Sequence, residues 1–169
     1  MITVKVNDKK VLEVLNQLTA RVRNLRPAFK EIGEDLVDTT KRRFTIATAP
    51  DGTPWAPNSP VTVDRYLGQF SNTRKKDGSL SKAGKARSST KKPLTGETKA
   101  LQTGINYQLQ GAAAVAVGSP QPYAAIQQLG GTKAQFPHLW GDIPARPYLG
   151  VSTADRQNIV EIIGSYLVP

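Results

Sequence analysis

Apolar residues recur at three- and four-residue steps through the first part of the chain, at Val11, Leu15, Leu18, Val22, Leu25, Phe29, Ile32, Leu36 and Phe44. That is the period of a helix with one apolar face. Ahead of it, Ile2-Thr3-Val4-Lys5-Val6 alternates apolar and polar, the period of a strand. Asn7 or Asp8 is placed to cap the helix that follows. Pro27 falls inside the stripe, which continues in phase beyond it. A kinked helix and two helices with a tight joint both fit. The two-helix reading, 8–23 and 27–47, is preferred because proline is tolerated in a helix's first turn.

Pro50-Asp51-Gly52-Thr53-Pro54-Trp55-Ala56-Pro57 ends the helical pattern. Asp-Gly favours a turn with positive φ, and Trp55 is the expected anchor of that turn. From 71 to 92 the only large apolar residue is Leu80. Such a stretch buries too little to offset its ordering entropy, so it reads as a long loop that a partner would order. Order resumes at Leu94, with a turn at Thr95-Gly96-Glu97. Ile105-Asn106-Tyr107-Gln108-Leu109-Gln110 alternates as a strand, Gly111 turns, and 112–117 returns as the second strand of a hairpin. The small alanines of that return imply close packing by a helix. A short helix over 123–129 stops at Gly130-Gly131. Ser152, with Asp155 three residues on, opens the last helix as a capping box. Its apolar face is Ile159, Val160, Ile162, Ile163, Tyr166 and Leu167.

The order predicts an α+β fold: an antiparallel β-sheet packed by N-terminal helices and a C-terminal helix. We read 1–169 as a single domain, with 65–92 as a basic, flexible insertion loop. No internal repeat is visible.

Between the short helix and the last one runs Ile143-Pro144-Ala145-Arg146-Pro147-Tyr148-Leu149-Gly150. Pro144 and Pro147 fix φ and offer no N–H, and each pushes the residue before it, Ile143 or Arg146, toward extended geometry. The result is a stiff connector that aims Arg146 in one direction and delivers Leu149 to a core. Arg146 has two candidate partners, Asp142 and a carboxylate across an interface. Phe136, Trp140 and Tyr148 nearby read as a core cluster, with a subunit interface as the alternative.

Charge changes this picture more than size does. The 169 residues carry a formal net charge of +10. Positions 65–92 hold nine basic residues against Asp77, leaving 14 basic and 12 acidic residues for the rest. One segment therefore carries the positive field. Arg74, Lys75, Lys76, Lys82, Lys85, Arg87, Lys91 and Lys92 are candidates for contact with a phosphate backbone or an acidic protein face. No aromatic residue lies between 71 and 92, so base stacking is not indicated. No apolar run approaches the length of a membrane span, the N-terminus lacks the layout of a secretion signal, and there is no cysteine. Synthesis in the cytoplasm fits.

Groups for catalysis are sparse. The single histidine, His138, sits in Phe136-Pro137-His138-Leu139-Trp140 with no nucleophile elbow nearby. Glu31, Glu34, Asp35 and Asp38 fall on one side of a helix, where Lys30, Lys41 and Arg42 make them ordinary surface pairs. Gly78 to Lys85 has the wrong spacing for a phosphate loop, and Ala86 stands where Ser or Thr is needed. We assign no catalytic, cofactor or metal residue.

Several elements together resemble the phage virion morphogenesis family, the tail-completion proteins of Mu-like and related tailed phages. They are Arg43-Phe44 ending the helical part, the Asp-Gly…Trp turn, a variable basic insertion and Leu94-Thr95-Gly96. Val117-Gly118, Tyr123-Ala124 through Gly130-Gly131, and the Ile-Pro-Ala-Arg-Pro-Tyr-Leu-Gly connector follow in order. The chain departs from the family at Gln127-Gln128-Leu129, where a His-Gln and an aromatic residue are expected. The resemblance implies a structural virion protein without activity or cofactor, acting in tail completion or at the neck, and assembled in the host cytoplasm. It implies a fold similar to tail terminators and neck proteins. Its implied partners are copies of itself in a hexameric ring, neighbouring neck and tail tube or sheath proteins, and non-specific contact with phage DNA, with no membrane. Asp51, Gly52, Trp55, Tyr123, Gly130, Pro144, Arg146, Pro147 and Leu149 are then fold or subunit-interface positions. The alternative is a sequence-independent nucleic-acid-binding protein that grips through the basic loop.

Overall fold

A computed structural model describes residues 9–139 and 141–168. The expected strand at 2–6, the Asn7 or Asp8 cap of the helix that follows, and Trp140 lie outside the described residues. The elements are α1 (Lys9–Arg23), α2 (Arg26–Ile46), α3 (Pro60–Leu67), α4 (Lys82–Thr90), α5 (Ala100–Thr103), β1 (Asn106–Leu109), β2 (Val115–Gly118), α6 (Ala124–Leu129) and α7 (Thr153–Leu167). The class is α+β, and among the described residues the sheet is a two-stranded antiparallel hairpin. Two compact units share the chain, one holding residues 9–38, 106–118 and 151–168, the other 39–105 and 119–150.

In the first unit, α2 opens with Pro27 in its first turn, as the preferred reading required. Ala28, Ile32 and Val37 are the buried apolar residues of the part of α2 that lies in this unit. The hairpin pairs Asn106 with Gly118 and Leu109 with Val115. Tyr107 and Leu109 are half-buried while Asn106 and Gln108 are exposed, so the alternation is real. The return strand begins three residues later than expected. Gly111, at φ 67°, turns the chain, Gln110 N–H donates to the Ala114 carbonyl at 2.8 Å, and Ala112, Ala113 and Ala114 are exposed. Close helix packing does occur, but Gly33 provides it. A Cβ there would stand 2.5 Å from the Tyr107 ring and 3.0 Å from Val115, so only glycine lets hairpin and helix approach so closely. The capping box forms as read: Ser152 Oγ accepts from Asp155 N–H at 3.1 Å and Asp155 Oδ2 from Ser152 N–H at 2.7 Å. Arg21 Nη1 donates to the Tyr166 and Val168 carbonyls at 2.7 and 3.0 Å, and the Tyr166 hydroxyl donates to the Asn24 carbonyl at 2.6 Å. These bonds tie the end of α1 to the end of α7.

The second unit has the larger core: Phe44, Ala49, Trp55, Leu67, Leu101, Ile105, Ala124 and Tyr148. Here the loop read over 65–92 gives way to local structure. Arg65 lies in the last turn of α3, Arg74 pairs with Leu80 across a tight turn, and α4 follows. Side-chain oxygens supply the order that apolar burial does not. Ser59 and Ser81 cap α3 and α4. Thr73 is buried, and its hydroxyl meets the Leu67 carbonyl at 3.0 Å. Ser81 N–H donates to the Thr73 carbonyl at 3.0 Å. The basic side chains also pack: Arg87 lies 4.0 Å over the Phe70 ring and Lys91 4.6 Å over Tyr66.

Candidate functional site

The proline connector is held from three sides within the second unit. The Asp51-Gly52 turn forms as read. Asp51 Oδ1 accepts from Thr53 N–H at 2.9 Å, which holds its carboxyl below the usual range, and Gly52 has φ 86°. Ala49 N–H to the Thr53 carbonyl and Trp55 N–H to the Ala47 carbonyl close the turn. Trp55 is then buried with its indole Nε1 donating to the Pro147 carbonyl at 2.7 Å. Phe44 stands between Trp55 and Tyr148, each ring centroid 5.3 Å from its own. Such contacts add about 0.5–1.5 kcal/mol each beyond area burial.

Arg146 is 7% exposed. Within the chain, Asp142 gives way to carbonyls as its partner: Nε donates to Ala56 and Nη2 to Pro57, both at 2.8 Å. Asp142 instead accepts from Lys133 N–H at 2.7 Å. Burial pushes the Arg146 guanidinium pKa down from its ordinary value.

The third hold was not legible. Gln128 Oε1 accepts from both Tyr148 N–H and Leu149 N–H at 2.9 Å, while its Nε2 donates to the Leu149 carbonyl at 3.1 Å. Arg43 Nη1 donates to the Tyr148 and Gly150 carbonyls at 2.9 and 2.8 Å. Arg43 directly precedes the core Phe44, and Gln128 holds the expected Gln between the two departures at Gln127 and Leu129. Gly130, at φ 73°, lets Gly131 pair with Ile143, and a Cβ at Gly130 would sit 2.7 Å from Ala145 N. The expectation for Leu149 is corrected: it is half-buried, and Tyr148 enters the core at 1% exposed, its hydroxyl donating to the Ala124 carbonyl at 3.2 Å. An extended chain alternates its sides, so the core takes one of the two. Phe136 at 41% and Tyr123 at 42% exposure are not core residues. Pro144 and Tyr123 line a cavity of about 650 Å³ together with Lys91, Leu101 and Arg146.

The basic residues separate into two sets. Arg74 pairs with Asp64, Lys91 and Lys92 donate to the Thr95 and Thr45 carbonyls, and Arg87 covers Phe70. These four brace the fold. Lys75, Lys76, Lys82 and Lys85 are exposed, two in the turn before Leu80 and two in α4. His138 is exposed against the Phe136 edge, and Glu34 pairs with Lys30 at 3.9 Å. Among the described residues no three His, Cys, Asp or Glu side chains cluster as metal ligands do.

Residues 6–168 match the phage virion morphogenesis family, and the chain belongs to it. That membership gives it a structural or assembly role in phage virion morphogenesis. The chain is also similar to the putative capsid assembly protein G of Escherichia phage Mu, 47% identical over 47 residues that make up 28% of this chain and 30% of that protein. No solved structure matches. No described helix is long and apolar enough to cross a membrane.

Proposed function

We propose that the protein acts in tail completion or at the head–tail junction, as one copy in a sixfold terminator or neck ring that contacts neck and tail tube or sheath proteins. The observation that carries the reading is the exposed set Lys75, Lys76, Lys82 and Lys85 on an ordered turn and helix within a virion morphogenesis chain. Repeated around a ring, that set multiplies a positive field toward a DNA channel or an adjoining acidic ring. Replacing all four lysines by glutamine lowers the yield of infectious particles while leaving the melting curve in place. Labelled protein in purified virions sits at the head–tail junction. A label elsewhere on the particle overturns the placement, and an unchanged titre overturns the role of the lysines.

The same four lysines favour a second reading, direct sequence-independent binding of nucleic acid. Under it the isolated protein binds free duplex, with affinity that falls steeply as salt rises.

A further inference from the structure

The helix α1 has fifteen residues and none of them is buried. Val11, Leu12, Val14, Leu15, Leu18 and Val22 are between 37% and 59% exposed. Val11, Leu15, Leu18 and Val22 follow steps of four, three and four, the seam of a helix that packs against another helix. Leu12 and Val14 widen that seam on both sides. A continuous apolar stripe of this kind marks an interaction surface, unlike singly scattered apolar residues. A lone helix of fifteen residues is marginal in water. Arg21, at the end of α1, donates to the Tyr166 carbonyl of α7 and to the Val168 carbonyl just beyond it.

Charge says what covers the stripe. By helical spacing Lys10 borders it on one side and Arg23 on the other, while Glu13, the only acid of α1, lies on the opposite face. The α1 of a second copy would bring the same cations to the same rim, which disfavours self-pairing. The other described helices expose large apolar residues only singly: Ile46 on α2, Val61 on α3, Leu129 on α6 and Val160 on α7. We propose that α1 is the docking face for an amphipathic helix of a different protein, whose apolar stripe is flanked by Asp or Glu. The proposal does not involve the exposed lysines, and it holds whether or not copies of the chain form a ring.

The test uses the full chain and two synthetic helical peptides of three heptads. They share a leucine and isoleucine seam and differ only in flanks of glutamate or lysine. The glutamate peptide binds about tenfold more tightly, through partly exposed pairs with Lys10 and Arg23. That preference shrinks at high salt, and binding slows amide exchange over residues 11–22. Leu15→Glu with Leu18→Glu abolishes binding and leaves the melting curve in place, because neither residue is buried. Lys10→Glu with Arg23→Glu inverts the preference toward the lysine peptide, an outcome that simple loss of structure does not produce. Equal binding of the two peptides, or binding of neither, overturns the proposal. So does a self-associating chain that the Leu15 and Leu18 changes render monomeric, which would make a second copy the occupant.

Discussion

Trp55 Nε1 donates to the carbonyl of Pro147 at 2.7 Å, joining a turn and a connector 92 residues apart in sequence. Tryptophan and proline are both read easily from the chain, yet the bond uses the one polar atom of the first and only the backbone of the second. Trp55→Phe keeps an aromatic ring for Phe44 but leaves a part-buried carbonyl without this donor. The expected cost is about 1–3 kcal/mol, seen as a lower urea midpoint with an unchanged slope.

Arg146 forks onto two successive carbonyls, Ala56 and Pro57. Lysine carries the charge on a single ammonium and lacks the planar fork. Arg146→Lys therefore destabilises by about 1–3 kcal/mol, although the charge is conserved. Chemical denaturation measures this. Full retention of stability would show that the charge, and not the fork, is what matters.

Gly84 stands where a Cβ would lie 2.0 Å from the Thr73 carbonyl oxygen. Alanine is the better helix former, so helix propensity alone predicts that Gly84→Ala strengthens α4. The contact predicts the reverse, a loss of about 1–3 kcal/mol from overpacking. Amide exchange over residues 73–90 should quicken in the variant.

Burial raises the Tyr148 hydroxyl pKa above its ordinary value of 10.0. The neutral form is favoured in the folded state, while the unfolded chain ionises near the ordinary value. The associated stability is present below that value and is lost as pH rises through the folded pKa. Tyr148→Phe should flatten the alkaline limb of a stability profile. Tyr107 is also raised, first by desolvation and then by the Glu34 charge, so the comparison is cleanest in a Tyr107→Phe background. At the acid end Asp51 and Asp77 are lowered by hydrogen bonds from Thr53 and Ser79 respectively. Their contribution is present above 3.8 and disappears as pH falls through their folded values.

Periodic apolar faces and local caps were legible. Pro27 opening α2, the alternation of Tyr107 and Leu109, and the Ser152–Asp155 box all follow from contacts a few residues long. The ordering of 71–92 was not, because it rests on Thr73, Ser81 and Gly84 meeting main-chain atoms, and on cations lying over Phe70 and Tyr66. Hydropathy weighs apolar side chains and is blind to those bonds. The connector was placed, but its partners were not: carbonyls carry no side-chain signature, and Arg43 and Gln128 reach them across distances that spacing does not encode. Ala112–Ala114 misled for a related reason, since small residues suit an open turn as well as a close contact.

The hydrogen bonds from the Gln128 side chain to Tyr148 and Leu149 all go to peptide groups. Drift of the side chain at 149 therefore leaves the clamp intact, whereas proline there would remove one of the two donors it gathers. Gln128→Glu would retain an acceptor for both amides and lose the donor facing the Leu149 carbonyl. The carboxamide thus reads the path of the main chain, and tolerates a change of residue where it would not tolerate a change of direction.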